Sequence, residues 1–311
     1  MTLALWRSPY LLLSLAALFW AGNFVVGRAV HATVPPVALA FWRWTSGLAL
    51  VLCFVGPNLR RDLPVLLRNW HVLLPLSAFG VAAFNTLVYI GLRSTTAINA
   101  LLLQSAVPLV IVLCSFALFG ERPGPLLLLG VAVSFAGVLV IAGHGSPAAL
   151  LGLALNRGDL WVLSGVVTYA LYSVLLRTGP AVHPLSFLVA IFALGVVMLL
   201  PFYLWETLSV MAMPWSAPAL VAIGYVAIFP SFLAFLCYNR GIALIGANRA
   251  GQFMHLLPVF GTALAIVFLG EAFHAFQAFG ITLIAAGIVL ARVAGSAAEA
   301  EAAPSRRLRS G

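Results

Sequence analysis

The sequence predicts an all-α membrane protein of ten transmembrane helices, and three observations support this fold class. The chain is 63% hydrophobic and only 7% charged, whereas about a quarter of the residues in soluble domains are charged. Ten apolar stretches, each long enough to cross a bilayer as a helix, are separated by short polar, proline or glycine segments. A pattern of proline, glycine and glutamate in the first half also returns one hundred and fifty positions later, which indicates a duplication.

The predicted helices follow one another with little chain left between them. The first begins after Arg7 and continues past Phe24 without a small-residue cleavage pattern, so it is interpreted as a helix and not as a signal peptide. The uninterrupted apolar run over residues 126–142 in the fifth is unlike the alternating strands of a membrane β-barrel. The ten predicted spans are residues 9–30, 36–56, 71–92, 96–119, 125–143, 159–177, 184–205, 216–239, 247–270 and 275–293.

The duplicated pattern divides the chain into two halves of five predicted helices. It pairs Pro108, Gly120, Glu121, Gly130 and Gly137 with Pro258, Gly270, Glu271, Gly280 and Gly287. Because five is odd, the second half must enter the membrane from the opposite side, so the sequence predicts two inverted repeats. Residues 1–147 form the first repeat, 148–158 a linker and 159–294 the second repeat. Residues 295–311, which are alanine-rich, charged and without aromatic anchors, are predicted to be a disordered cytoplasmic tail.

The charge distribution predicts the orientation in the membrane. All sixteen basic residues are arginines, and the net charge is +9. With both termini in the cytoplasm, twelve arginines lie on the inner side and three on the outer side, as the positive-inside rule requires. Nucleic acid is excluded as a partner, since so apolar a chain cannot present a contiguous basic face. The expected partners are the lipid bilayer and a small molecule, and a monomer is expected.

Several kinds of chemistry are excluded by missing residues. Cys53, Cys114 and Cys237 lie far apart in apolar runs, and the six histidines show no ligand spacing, so neither a metal nor a disulfide is predicted. The chain lacks a P-loop pattern and a His-Glu-x-x-His pattern. The sequence therefore predicts a protein that has no cofactor and is not an enzyme.

Two matching sequence blocks resemble a known family. The blocks AINALLLQSAVPLVIVLCSFALFGE with LLGVAVSFAGVLVIAG, and ANRAGQFMHLLPVFGTALAIVFLGE with FGITLIAAGIVLA, are similar to the drug/metabolite transporter superfamily in its EamA-type, ten-helix form. The opening LFWAGNFVVGR and the FWRW of the second span resemble the first two helices of that family. Within it, the chain most resembles the bacterial YddG-like exporters, which implies efflux of aromatic and other amino acids from the cell.

Prolines near the middle of the fourth and ninth spans indicate a central site. Pro108 and Pro258 each remove a backbone hydrogen bond, and interrupted helices at matching positions of two repeats are typical of transporter binding sites. Polar side chains lie within a turn of both prolines: Gln104, Ser105, Gln252 and His255. The alternative is that these side chains only satisfy the freed backbone groups.

Other polar and aromatic residues at depth complete the predicted cavity. They are Trp20, Asn23, Phe84, Asn85, Tyr89, Tyr169, Tyr172, Ser173, Ser231 and Tyr238. Aromatic walls with a few amides and hydroxyls suit a ligand with an apolar body and a polar end. Anchoring at the membrane interface is the alternative for the tyrosines, above all for Tyr89 and Tyr238.

The charged residues near the spans allow more than one interpretation. Arg43 lies between Trp42 and Trp44 in the second span, where it either has a buried partner or extends to the interface. Glu121 and Glu271 end helices and are interpreted as structural. Because no acidic residue lies deep in a predicted span, proton coupling is not supported, and His255 is the only deep titratable candidate.

Together with the resemblance, these residues predict an exporter of amino acids and similar metabolites in the bacterial inner membrane, working by alternating access. Two alternatives remain open at this point. The same aromatic walls could hold apolar cations by cation–π contact, or the chain could be a membrane scaffold or receptor that transports nothing.

Overall fold

The chain folds as a bundle of helices in a computed structural model that describes residues 6–143, 145–146, 156–269 and 274–307. These residues contain no β-strand. The first half contains α1 (Pro9–Val30), α2 (Pro36–Val55), α3 (Asn58–Arg68), α4 (Trp70–Gly91), α5 (Ala97–Gln104), α6 (Val107–Phe119) and α7 (Pro125–Ala142). The second half contains α8 (Arg157–Leu175), α9 (Pro184–Ser209), α10 (Ala217–Ile245), α11 (Ala247–Gly251), α12 (Leu256–Leu269) and α13 (Ala275–Arg307).

The helices confirm a multi-pass membrane architecture. Eight helical segments in the described ranges are long and apolar enough to cross a membrane, and Pro125–Ile141 is a shorter apolar helix. The predicted ninth span is divided between α11, a 3-10 turn and α12, and the residues after Leu269 lie outside the described ranges up to His274. A total of ten spans therefore remains a prediction.

Four helix interruptions occur at corresponding positions of the two halves. A π-helical segment lies inside α4 (Ala78–Ala83), and another lies inside α10 (Ala227–Leu233). The predicted fourth span breaks between α5 and α6, and the 3-10 turn Gln252–His255 separates α11 from α12. Both kinds of interruption are frequent at functional hinges and sites.

The break in the predicted fourth span lies before its proline and not at it. Pro108 occupies the first turn of α6, where its missing N–H has no intrahelical partner to lose. The helix therefore ends at Gln104 and restarts at Val107, which moves the interruption toward the polar residues.

The largest helix–helix contact is between α7 and α13, the last helix of each half. Glycines allow the two backbones to touch, because a Cβ atom added to Gly130 would lie 2.7 Å from the carbonyl oxygen of Gly287. Small residues at such crossings are the common packing device of membrane helices. Helix α1 packs on α10, α4 on α8, and α2 on α9.

Contacts between helix ends define the two ends of the bundle. At the Arg28 end, Arg28 donates a hydrogen bond to the Leu92 carbonyl oxygen after α4, and Thr95 donates to Asp159 in the first turn of α8. At the opposite Glu121 end, Glu121 after α6 forms an ion pair with Arg177 after α8. Helix α1 therefore runs toward the Arg28 end, whereas α8 runs away from it.

Two segments differ from the sequence prediction. The amphipathic helix α3 was missed, because its arginines and Pro64 lower its hydropathy. It is attached to the start of α9, where Asp62 accepts a hydrogen bond from the backbone N–H of His183, 2.9 Å away. The neighbouring Ser186 hydroxyl and this N–H hold the pKa of Asp62 below its usual value.

The C-terminal segment is the second difference. The prediction was a disordered tail from residue 295, but the backbone of α13 continues as a helix to Arg307. Alanine and glutamate, which dominate the segment, are strong helix formers. Most of the predicted linker, over residues 148–155, lies outside the described ranges, as do Gly270 and Glu271.

Candidate functional site

Aromatic rings from four helices meet at the centre of the bundle. Trp20 of α1 lies edge-on to Tyr169 of α8 and to Tyr238 of α10, with ring centroids 5.5 and 5.0 Å apart. Phe84 of α4 lies 4.5 Å from Tyr169, and Tyr172 lies 5.7 Å from the same ring. Both halves of the chain therefore contribute to one aromatic cluster.

A small cavity lies beside this cluster. Eight residues line it: Trp20, Asn23, Phe24, Phe84, Gln104, Tyr169, Met254 and Leu257. The space available to the centre of a water molecule is about 10 Å³, which corresponds to about one water. A substrate of amino-acid size can therefore enter only after the walls have moved. Five of the predicted site residues line this cavity: Trp20, Asn23, Phe84, Gln104 and Tyr169.

The polar groups of the cavity wall include donors without a protein partner. The side-chain nitrogen Nε2 of Gln104 makes no hydrogen bond to any described residue, and the hydroxyl of Tyr169, which interacts with that of Tyr238, has no partner at full hydrogen-bond geometry there. Both residues are almost fully buried. Buried polar groups in native proteins are nearly always paired. Unpaired donors around a cavity are the arrangement expected where a ligand supplies the acceptors.

Arg43 is buried directly behind the cavity wall. Its Nη1 donates to Asn23 Oδ1 at 2.8 Å and to the Tyr89 hydroxyl at 2.9 Å, while its Nε donates to the Ser231 hydroxyl at 2.6 Å. The guanidinium lies 4.8 Å from the centre of the Trp44 ring. The side chain is 0% exposed, so the interpretation that it extends to the interface is wrong. Three neutral acceptors and one ring replace the water that the interface would have supplied.

The positive charge of Arg43 has no carboxylate partner among the described residues. Its remaining nitrogen, Nη2, has no acceptor there either. An uncompensated charge in a membrane protein interior is costly, and such residues commonly mark substrate or ion sites. Sequence reasoning had noted the unusual depth of Arg43, but the three acceptors come from distant parts of the chain.

Tyr89 and Tyr238 lie in the interior and do not anchor the interface. Tyr89 donates to Asn23 Oδ1 at 2.7 Å, and the Tyr238 hydroxyl lies 3.1 Å from that of Ser173. The two tyrosines are 3% and 1% exposed. Asn85 is also buried, and its side-chain nitrogen has no partner in the part of the chain described here.

The other predicted polar residues form a separate cluster around His255. One ring nitrogen of His255 lies 2.7 Å from the Ser134 hydroxyl, and the other lies 2.9 Å from the carbonyl oxygen of Ser105. The Ser134 hydroxyl oxygen also lies 3.4 Å from Gln252 Oε1. This cluster joins the interruptions of the two halves to α7 and does not line the small cavity. Sequence reasoning missed Ser134, since it lies in an apolar run.

A wide vestibule opens at the Glu121 end of the bundle. Its volume is about 890 Å³, which is within the usual range for small-molecule sites. Three arginines and one glutamate supply its charges: Arg122, Arg177, Arg249 and Glu121. Asn248, at the start of α11, donates to the second oxygen of Glu121 at 3.3 Å. Glu121 therefore connects the first half of the chain to two segments of the second half.

One side-chain pair lies between the vestibule and the aromatic cluster. Tyr172 donates a hydrogen bond of 2.7 Å to Asn239 Oδ1, and Asn239 lines the vestibule. The structure thus places Tyr172 between the vestibule and Tyr169, rather than in the wall of the small cavity.

The Arg28 end is closed by tight packing. A Cβ atom added to Gly91 would lie 2.7 Å from the carbonyl oxygen of Gly158, so α4 and α8 are in backbone contact there. Glu206, near the end of α9, accepts hydrogen bonds of 3.2 and 2.7 Å from the backbone N–H groups of Val37 and Ala38. Sequence reasoning missed Glu206 because the first turn that it caps belongs to a distant helix. The bundle is therefore open at one end and closed at the other.

Comparison with known proteins places these features in a family. The model of the EamA-like transporter family matches residues 7–143 and again residues 156–293. The uncharacterized transporter YyaM of Bacillus subtilis (strain 168) is 26% identical over 91% of this chain and 92% of that protein. The uncharacterized inner membrane transporter YedA of Escherichia coli (strain K12) is 25% identical over 88% of this chain and 87% of that protein.

A solved crystal structure shares the fold. It aligns with a TM-score of 0.74 at 22% identity and covers 94% of this chain and 98% of its own. Identity at this level is evidence for the fold alone.

Proposed function

Because this chain belongs to the EamA-like transporter family, and is therefore a membrane transporter and not an enzyme, we propose that it exports amino acids with aromatic or other apolar side chains. The proposed location is the bacterial inner membrane, and the proposed mechanism is alternating access by a monomer. The single observation that carries the proposal is the central cavity, whose lining combines an aromatic wall with the hydrogen-bond donors of Gln104 and Tyr169.

The shape of the cavity wall supports this substrate class. Trp20 and Phe84 offer flat apolar surfaces, while Asn23, Gln104 and Tyr169 offer polar groups at the same cavity. Pockets of this composition orient a ligand by its few polar groups and stabilise its apolar body by burial. The resemblance to YddG-like exporters points to the same class of substrates.

The arrangement of the ends supports alternating access. The vestibule at the Glu121 end and the tight contacts at the Arg28 end describe one of the two states that such a mechanism requires. Helices α1 and α8 run in opposite directions, as they would in two inverted five-helix repeats. With both termini in the cytoplasm, the vestibule opens inward, where an exporter collects its substrate.

The Pro108 and Pro258 segments are the proposed moving parts. Each proline lies in the helix that follows an interruption, and the two interruptions meet at the hydrogen bond between His255 and the Ser105 carbonyl oxygen. Interrupted helices bend at lower cost than continuous ones, since their backbone ladder is already broken. A conformational change at this junction would move the interrupted helices of both halves together.

Flux through proteoliposomes tests the proposal. The full-length protein is reconstituted, and the liposomes are loaded with radiolabelled phenylalanine or leucine. Efflux is compared with that from protein-free liposomes loaded in the same way. We expect Trp20→Ala and Gln104→Ala to lower the affinity for phenylalanine about tenfold, the effect of losing one stacking surface or one polar contact. Ser77→Ala, which removes a buried hydroxyl bonded only within its own helix, is the matched control. Absence of flux for every amino acid tested would sink the proposal.

Export of apolar cations is the alternative reading of the same walls. The aromatic cluster would favour a cation, but the described residues that line the cavity include no acidic one, and Arg43 lies behind them. Efflux of tetraphenylphosphonium that is inhibited by neither phenylalanine nor leucine would favour the alternative.

A further inference from the structure

The orientation of the Asn23 side chain is determined by two donors behind the cavity. Its Oδ1 accepts from both Arg43 Nη1 and the Tyr89 hydroxyl, at 2.8 and 2.7 Å. Both donors are buried and belong to other helices. Because the oxygen is held on that side, the NH₂ group of Asn23 is the part of the amide left for the cavity that Asn23 lines. Arg43 and Tyr89 thus orient Asn23 so that its NH₂ group is the donor on the cavity side.

The remaining polar groups of the wall agree with this polarity. The Gln104 amide nitrogen is a donor without a partner in the described structure, and the Tyr169 hydroxyl has only a weak interaction with that of Tyr238. With the Asn23 NH₂ group, three donors from α1, α5 and α8 belong to residues that line a cavity whose described lining holds no carboxylate. A ligand that fills this space must supply acceptors.

The charge balance calls for a negative ligand. Arg43 brings a full positive charge one hydrogen bond behind the cavity wall, and the groups it contacts through hydrogen bonds are all neutral. The vestibule adds three arginines against one glutamate. Clefts lined by one sign of charge concentrate ligands of the opposite sign.

We infer that the central site recognises its substrate by a carboxylate group, bound by Asn23, Gln104 and Tyr169 with Arg43 as a positioning residue, and that it does not require an ammonium group. The inference rests on the proposed function and extends it from amino acids to apolar monocarboxylates without nitrogen. The carboxylate supplies the missing acceptors and offsets the charge of Arg43. An amine of the same shape supplies neither, and its ammonium group meets like charge.

Three analogues with the same phenyl ring separate these contributions. Phenylalanine carries both charged groups, 3-phenylpropanoate carries only the carboxylate, and 2-phenylethylamine carries only the ammonium. Binding to the purified full-length protein is measured in detergent, and competition with labelled phenylalanine is measured in proteoliposomes. We expect 3-phenylpropanoate to bind within about tenfold of phenylalanine, and 2-phenylethylamine at least about a hundredfold more weakly.

The substitution Asn23→Asp gives the sharpest test, because it changes the sign of the cavity wall without changing its shape. The new carboxylate pairs with Arg43 and replaces the NH₂ donor by an acceptor. We expect the affinity for 3-phenylpropanoate to fall by about a hundredfold or more, and that for 2-phenylethylamine to rise. The ratio of the two affinities is measured on the same preparation, so it does not depend on how much protein folds. Ser77→Ala should leave the ratio unchanged.

The outcomes distinguish this inference from the proposed function. If 3-phenylpropanoate binds and 2-phenylethylamine does not, but no amino acid is transported, the inference stands and the proposed function fails. If phenylalanine is transported and the amine competes as well as the carboxylate, the function stands and the inference fails. An unchanged ratio in Asn23→Asp also overturns the inference, and failure of all three analogues to bind overturns both.

Discussion

Replacing Arg43 with methionine separates a structural role of this arginine from a role in binding. In the unsubstituted protein, each of three hydrogen bonds from the charged donor contributes about 1.5–3 kcal/mol. Burial of the guanidinium costs several kcal/mol, so the two contributions largely cancel. Methionine retains much of the apolar stem, and it leaves no charge in the interior.

The partners of Arg43 keep other hydrogen bonds after the substitution. Asn23 Oδ1 still accepts from Tyr89 at 2.7 Å, and Ser231 still donates to the Val226 carbonyl oxygen at 2.6 Å. Since no buried group is left both charged and unpaired, we expect the free energy of unfolding to change by no more than about 2 kcal/mol. The melting temperature in detergent should therefore shift by only a few degrees, at about 2–4 °C per kcal/mol or less.

Binding should respond very differently. Without the charge behind Asn23, we expect Arg43→Met to bind 3-phenylpropanoate about ten to a hundred times more weakly, as loss of a charge-assisted interaction predicts. Arg43→Lys is the matched control, which keeps the charge and should retain the preference for carboxylates. The reasoning would be refuted if Arg43→Met lowered the melting temperature by more than about 10 °C while the carboxylate affinity stayed unchanged. Arg43 would then be a structural residue only.

Three further predictions concern packing, gating and pH. Gly130→Val should lower the melting temperature, because its Cβ would meet the α13 backbone at 2.7 Å. Gly124→Ala, with open space around its Cβ, should leave the melting temperature unchanged. Equal melting temperatures of these two variants would contradict the close contact. Cysteines can replace Glu121 and Arg177 in a chain whose own cysteines are changed to alanine. Oxidation should then stop flux and reduction should restore it, since the ion pair at these positions joins the two halves. Undiminished flux in the crosslinked protein would exclude movement there. The lowered pKa of Asp62 means that its ionised form stabilises the fold at neutral pH, and that this contribution is lost as the pH falls through the native pKa, below the ordinary value of 3.8. Melting temperatures of the unsubstituted protein and Asp62→Asn should therefore converge in acid, and a constant difference down to that pH would count against this account.

The closed cavity predicts slow binding of the substrate. In the state described here the cavity has room for about one water, whereas the vestibule is far larger. Under the proposed function, a substrate that enters from the vestibule must pass the Tyr172–Asn239 hydrogen bond and separate the aromatic rings before it reaches Gln104. Binding is thus expected to be slower than diffusion allows, because it waits for a conformational change.

Much of the fold could be predicted from the sequence because its signals are local. A run of about 20 apolar residues determines a membrane helix wherever it lies, and most of the predicted spans correspond to helices with similar bounds. The duplicated prolines and glycines also identified the region of the helix interruptions. The amphipathic α3 was missed, since a helix with one polar face lacks that apolar run.

Local sequence signals did not predict how the residues of the candidate site are arranged. Sequence selected Asn23, Gln104 and Tyr169 as polar residues at depth, but could not separate the cavity wall from the cluster around His255. Arg43 and its partners Tyr89 and Ser231 are 46 and 188 positions apart, and no local pattern relates residues at such distances.

By itself, the sequence determined the membrane class, the two matching halves and the depth of the polar residues, because each depends on composition or periodicity within one segment. Only the tertiary structure decided that Arg43 is buried against neutral acceptors and that Asn23 holds its oxygen toward Arg43 and Tyr89. It also decided that the bundle is open at Glu121 and closed at Arg28. These features depend on which helices lie side by side, and that arrangement results from the packing of the whole chain.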